Sequence, residues 1–456
     1  MSTAAPASPK TDPATVAADA LKALCADYDN GHIARRFSTE PTFAVNLRRR
    51  GMMAALAQGL PHTRMEEWRF TPITRMLDKR FATPSETAAL PAIGELSALR
   101  ALFPHTLVIV DGFVRRDLSN LGALTAGAQI LSLREALTTE APVLQSHFGK
   151  ALDIDLTAFA GLNTALFTDG VVMDLAPNTR VEQTLHILHV STGQTVSTPR
   201  HLIRAQRHSA ITVVESFIGP DASPYLVNSA LEVFVEEGAS VDHYRYQVEG
   251  SGAFHFQTLQ ARQASHSQFS TQSYSWGGSL VRNDLGTVFD GPNAVGTING
   301  LYHIQGDQLM DNHTRIDHAV PHCESHELYR GILDGNSRGV FNGRIFVRQD
   351  AQKTNALQTN KNLLLSTGAQ INTNPQLEIF ADDVKCTHGA TVGQLDPVQL
   401  YYLRSRGIDE VSANRMLTFA FANDLILRIA PSPLRRHLEL KTLPAGAVIE
   451  EFEAGE

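Results

Sequence analysis

The sequence predicts a mainly β protein flanked by helical regions, and three observations carry that expectation. Between residues 105 and 390, apolar and polar residues alternate in short runs. Over the same stretch helical periodicity is nearly absent. On either side, in regions 1–104 and 391–456, apolar residues recur at three- and four-residue steps. The chain has 456 residues, 43% of them apolar and 19% charged, which is the composition of an ordinary globular protein with room for two or three domains.

The first region opens on Met1 to Lys10, read as a frayed tail without the basic head and apolar core of a signal peptide. Pro13 is placed to start a helix along which Ala17, Ala20, Leu21 and Leu24 form a stripe, with Cys25 beside it as a small apolar residue. A second helix is expected after Pro41; Gly51 weakens it and Pro61 ends it.

The middle region, 105–390, begins with the apolar run Leu107 to Val110, closed by Asp111-Gly112. Leu231, Val233 and Val235 alternate with Glu232, Phe234 and Glu236, and the runs Val241 to Gln247, Phe254 to Phe256 and Ser267 to Trp276 alternate likewise. So many short strands must dispose of their edges by closure, by a sandwich or by stacking of coils. Gly238-Ala-Ser-Val-Asp242 and Gly368-Ala-Gln-Ile-Asn372 share one form, in which glycine supplies a positive φ at a corner and the β-branched residue points inward. That pattern suits a parallel β-helix, while a β-sandwich stays open on periodicity alone.

In the last region Asp396 caps a helix with Pro397 in its first turn, Val398, Tyr401, Tyr402 and Leu403 follow, and Gly407 stops it. Asp409 caps a second helix carrying Val411, Met416, Leu417, Ala420 and Phe421, so the pair reads as an αα-hairpin ended by Pro431 and Pro433. From Leu434 onward no strong periodicity is visible.

Composition also limits partners and setting. A formal charge of −8 disfavours a nucleic-acid partner. Three cysteines are too few for a disulfide framework and fit a reduced, cytoplasmic setting. No membrane span is expected, because the most apolar stretch, Met416 to Ala430, is broken by Asn423, Asp424 and Arg428.

Several catalytic motifs fail. Gly335-Asn-Ser-Arg-Gly339 fits G-x-S-x-G, but strand and turn follow Ser337 where a nucleophile elbow needs a helix. His326-Glu327 starts a zinc-protease motif that Arg330 breaks, and there is no phosphate-binding loop. Asp382 and Asp383 are adjacent on an extended chain and point apart, a poor acid–base pair.

One constellation remains. Cys386 and His388 are two residues apart, so on a strand both leave the same face, where thiol and imidazole suit iron, zinc or an iron–sulfur cluster. Lys385 falls on the opposite face, and Gly389 frees the next turn. Two ligands are fewer than the four such a site takes. His313, Asp317, His318, His322, Cys323 and His326 form a second group, but His322, Cys323 and His326 do not share one face.

Three segments, Ala351 to Leu365, Pro375 to Asp396 and Tyr402 to Ile408, resemble the SufB/SufD family of iron–sulfur cluster assembly proteins. The form Cys-x-His-Gly-Ala-Thr at 386–391, followed by Gln394-Leu-Asp396, is similar to the SufD branch of that family. Pro61 to Thr71 resembles the family's N-terminal Arg-x-Glu-x-Trp-Arg-Phe-Thr signature. The resemblance implies a right-handed parallel β-helix core flanked by helical regions. It implies a non-catalytic scaffold subunit of a SufBCD-type complex, paired with a SufB-like homologue and docking a SufC-like ABC ATPase on its C-terminal helices. Sulfur would reach the SufB side from a cysteine desulfurase. A transient iron–sulfur cluster or iron would sit at the subunit interface, with His388 as the family's functional histidine and Cys386 as a second ligand. By position, Tyr402, Leu403, Arg406 and Ile408 are expected in the ATPase contact. A β-helix carbohydrate-active enzyme and a zinc-binding structural solenoid are the competing readings.

Overall fold

The computed structural model describes residues 40–443 apart from 124 and 222, together with Thr15, Asp19, Leu21 and Lys22. These last four are helical, and Leu21 is buried, as the stripe predicts. The rest of that stripe, Cys25 and the tail at 1–10 lie outside the described residues.

From Arg200–Ala205 to Asn355–Leu364 consecutive strands alternate between two sheets, and each pairs in parallel with the strand two positions on. The sandwich is thereby excluded, and the core is a parallel β-solenoid of about eight turns. One ladder of aligned residues runs Ala210, Ser240, Gln268, Val295, Glu324, Asn355, Lys385, a period of about thirty residues. Ile211, Val213, Val233, Val241, Phe269, Ile298, Phe341 and Ile345 fill the space between the sheets.

The same corner recurs on seven successive turns. Asn178, His208, Gly238, His266, Asn293, His322 and Lys353 all adopt φ between 57° and 65°. Each is followed by a small buried residue: Thr179, Ser209, Ala239, Ser267, Ala294, Cys323 and Thr354. Asn, His and Gly tolerate this backbone better than other residues. Gly238 fits its expected role, but Gly368 has no positive φ. There a Cβ would meet Asn336 Oδ1 at 2.4 Å and the Gly335 carbonyl at 2.7 Å, so close approach is what demands glycine.

The N-terminal end of the solenoid is closed. His105–Val110 turns back through Asp111 and Gly112 onto Phe113–Val114 in an antiparallel pair, and Ala128–Ser132 pairs antiparallel with Val171–Leu175. Helical structure interrupts the middle region at Leu133–Thr138, Pro142–His147 and α2 (Ala158–Leu166), a correction to the near-absence of helix expected there. The helix Ala158–Leu166 is buried on all sides, so it shows no amphipathic stripe to read. Helix α1 (Thr42–Gln58) runs straight through Gly51. Gly51 and Gly161 let α1 and α2 cross at contact distance: a Cβ on Gly51 would lie 2.8 Å from the Gly161 carbonyl.

Helices α3 (Pro397–Ser405) and α4 (Glu410–Ile426) begin at Asp396 and Asp409, whose side chains accept from Val398 N–H at 2.8 Å and Ser412 N–H at 3.0 Å. Gly407, at φ 89°, turns the hairpin. A third helix, α5 (Ser432–Thr442), follows where no periodicity was visible, and Pro433 starts it rather than ending its predecessor. Leu434 and Leu438 of α5 pack with Leu425 and Ile426 of α4 on Tyr244, Tyr246 and Tyr274 of the first sheet's outer face. Tyr274 Oη donates to the Leu425 carbonyl at 3.0 Å and Lys441 pairs with Glu95 at 2.7 Å. Among the described residues no helix is long and apolar enough to cross a membrane.

Candidate functional site

The last strands of the two sheets, Gln370–Ile379 and Lys385–Gly393, each pair on one side only. Among the described residues no further rung covers them, and the inward face of the final coil is largely exposed. Cys386 and His388 stand on that face. Cys386 continues the inward ladder Phe269, Gly296, Ser325, Ala356, and His388 continues Thr271, Ile298, Glu327, Gln358. The shared face expected from their spacing is therefore present, and it belongs to the interior of the solenoid.

Their exposure differs. Cys386 is half-buried against Ala356, and burial pushes its thiol above the ordinary range. A metal binding there displaces a proton. His388 is exposed and makes no side-chain hydrogen bond to a described residue. Around them the rim carries exposed apolar side chains, Ile379, Phe380 and Val392. The free edge of each last strand leaves a row of backbone N–H and C=O groups without a strand partner among the described residues. Asp382 and Asp383 do not converge, since Asp383 pairs with Lys353.

The second group of candidates is dispersed. His313 bridges Glu67 and Asp311. Asp317 holds Arg348 at 2.8 Å, and His318 Nε2 meets Ser325 Oγ at 2.9 Å. His322 and Cys323 are the recurrent corner pair, and His326 faces outward beside Glu324. Ser337 is sealed on a turn before a strand, with no elbow around it.

The N-terminal signature is a clasp. Arg282 lies over Trp68, donates to the Glu67 carbonyl at 2.7 Å, and forms ion pairs with Asp284 and Asp311, both at 2.8 Å. Thr71 Oγ1 donates to Asp311 at 2.6 Å. Burial opposes a charged His313, but Asp311 and Glu67 push its ring up to about 9. The segment is thereby pinned to the outer face of the second sheet.

A cluster with no motif signal lies deep in the solenoid. Ligand atoms of His189, His201 and Glu215 fall within 4.8 Å of one another, all buried. His201 Nδ1 accepts from Val171 N–H at 3.0 Å, so its proton is on Nε2, which faces Glu215 at 3.4 Å. His189 Nε2 and His243 Nε2 approach the same carboxylate at 2.9 and 3.2 Å. Burial alone would raise the Glu215 carboxyl, but these imidazoles hold it well below its ordinary range. The set is closed as a hydrogen-bonded carboxylate, since a ligating histidine donates rather than accepts through its other nitrogen.

The four residues expected on the hairpin lie together at its tip. Tyr402 and Arg406 are exposed, with the guanidinium 5.2 Å from the ring centroid, and Leu403 and Ile408 are half-buried beside them. Helix α3 buries no residue, and Val398 and Tyr401 are also exposed.

The protein is thus a β-solenoid capped at its N-terminal end, with a thiol and an imidazole on its last described rung. Two family models divide the chain between them: the SufBD protein N-terminal region matches residues 34–187, and the SufBD core domain of SUF system FeS cluster assembly matches 188–421. The chain belongs to the SufBD family and has a role in iron–sulfur cluster assembly. It is 31% identical over 411 residues to an iron–sulfur cluster assembly SufBD family protein of Synechocystis, covering 88% of this chain and 90% of the relative. It is 30% identical over 400 residues to the iron–sulfur cluster assembly protein SufD of Escherichia coli, covering 86% and 91%. The SufD of Bacillus subtilis is 27% identical over 321 residues, covering 68% and 72%.

Proposed function

We propose that this chain is a non-catalytic scaffold subunit of a SufBCD-type complex, and that nascent iron–sulfur clusters form where its open rung meets a SufB-like homologous subunit. The observation that carries this reading is the position of Cys386 and His388, inward-facing on the last coil, which no described strand covers. Two ligands are half of a cluster site, and a second chain docked on the rim supplies the rest. The cluster or its iron is cargo, held in passing. Sulfur arrives indirectly, from a cysteine desulfurase acting on the partner's side. The projecting hairpin, with Tyr402, Leu403, Arg406 and Ile408 at its tip, docks a SufC-like ABC ATPase. Nucleotide hydrolysis sits on that chain.

Co-purification of the complex with wild-type chain and with His388→Ala tests the proposal. The variant is expected to assemble with both partners but to yield iron and labile sulfide reduced several-fold. Undiminished cluster yield overturns the role of His388, and loss of assembly makes the residue structural instead.

A further inference from the structure

Beneath His388, on the same inward ladder, lie Gln358 and then Glu327, one rung apart each. Both are buried, with Gln358 at 0% exposure. Gln358 Nε2 donates to Glu327 Oε2 at 2.7 Å. A carboxylate only accepts, so this bond fixes which end of the amide faces Glu327. Gln358 Oε1 is left buried and without a partner. A buried acceptor left without a partner is costly and calls for an explanation. Room is kept for the amide: a Cβ on Gly343 would lie 2.3 Å from Gln358 Nε2. On the next rung His388 has a ring N–H and no partner among the described residues. Rungs are about 4.8 Å apart; the two side chains make no hydrogen bond in the structure, and the exposed His388 ring reaches Oε1 by turning inward.

We propose that Gln358 is a positioning residue for His388: its carboxamide, anchored through Nε2 on Glu327, presents Oε1 to a ring N–H of His388 and so fixes which imidazole nitrogen is left free at the open rung. The inference rests on the proposed role of His388 for its purpose, but not for its geometry. A ligating imidazole works best when its other nitrogen donates to a fixed acceptor, which sets tautomer and ring plane together. Neither Gln358 nor Glu327 touches the cargo.

The full chain, labelled with nitrogen-15 histidine, tests this at pH 8.5, where the Glu327 carboxyl, pushed up to about 7 by burial, is ionised. His388 signals are assigned by their loss in His388→Ala. In the wild type His388 is expected in one tautomer. Gln358→Leu is expected to give a mixture and to weaken cobalt(II) binding at Cys386 and His388 about 10- to 100-fold. Glu327→Gln, which leaves the acceptor but unpins the amide, is expected to give two sets of His388 signals. The exchange Glu327→Gln with Gln358→Glu again offers an anchored acceptor and restores the single tautomer. A single tautomer in Gln358→Leu overturns the inference; if that variant fails to fold, wild-type signals from Glu327→Gln overturn it instead. Wild-type chain that holds one tautomer but binds no cobalt leaves the positioning intact and counts against the metal role.

Discussion

The guanidinium of Arg282 lies 3.9 Å from the ring centroid of Trp68, and the two are 214 positions apart in a chain that reaches this contact only by coiling. Trp68 is 3% exposed and also packs on Phe159 and Phe256. Trp68→Ala is therefore expected to cost about 3–5 kcal/mol of unfolding free energy, read from urea denaturation. A loss below about 1 kcal/mol would show that the clasp is not what holds the N-terminal segment.

The clasp has a pH signature. His313 is pushed up to about 9 in the folded chain, from an ordinary 6.5. A folded pKa above the unfolded one gives stability that is complete below the unfolded value and lost as pH rises through the folded one. Wild type should thus exceed His313→Gln in urea midpoint most at pH 6, and the difference should fade between about 6.5 and 9. A difference that grows with pH would mean that His313 is neutral in the clasp.

At the recurrent corner the demand is on the backbone. His322→Asn should be nearly neutral, while His322→Val, forced to a φ of 62°, should lose about 1–2 kcal/mol. The neighbouring Cys323 is sealed at 0% exposure and its thiol is raised by burial. Peptide mapping after brief thiol alkylation of native protein should find Cys386 modified and Cys323 protected. Equal labelling would contradict the sealed corner.

The C-terminal helices divide into a docked part and a projecting part. Leu438→Ala, in the docked part, should cost about 2–5 kcal/mol. Tyr402→Ala, on the projecting tip, should change stability by less than about 0.5 kcal/mol and instead weaken capture of a SufC-like ATPase. Calorimetry and pull-down on the same preparations check both.

Strand positions were legible because Val241 and Phe269 alternate with polar neighbours, and the shared face of Cys386 and His388 followed from the same period of two. The coil repeat was not legible. Its corners need one backbone conformation, and Asn178, His208, Gly238 and Lys353 satisfy it with unlike side chains. Helix α5 was hidden because Leu434 and Leu438 are two apolar residues among Arg435, Arg436 and His437. That His388 is open, and that Gln358 and Glu327 lie beneath it, depends on which coil comes last, a property of stacking that no local window contains. The imidazoles around Glu215 come from three different strands for the same reason.

The ladder has a finished end and a raw end, which gives it a direction in time as well as in space. Synthesis delivers the lid before the first coil, so each new coil is laid on a template already in place. The rung that carries the thiol and the imidazole leaves the ribosome after every other described coil and before the C-terminal helices. A nascent chain therefore presents Cys386 and His388 only after the earlier coils have been laid down.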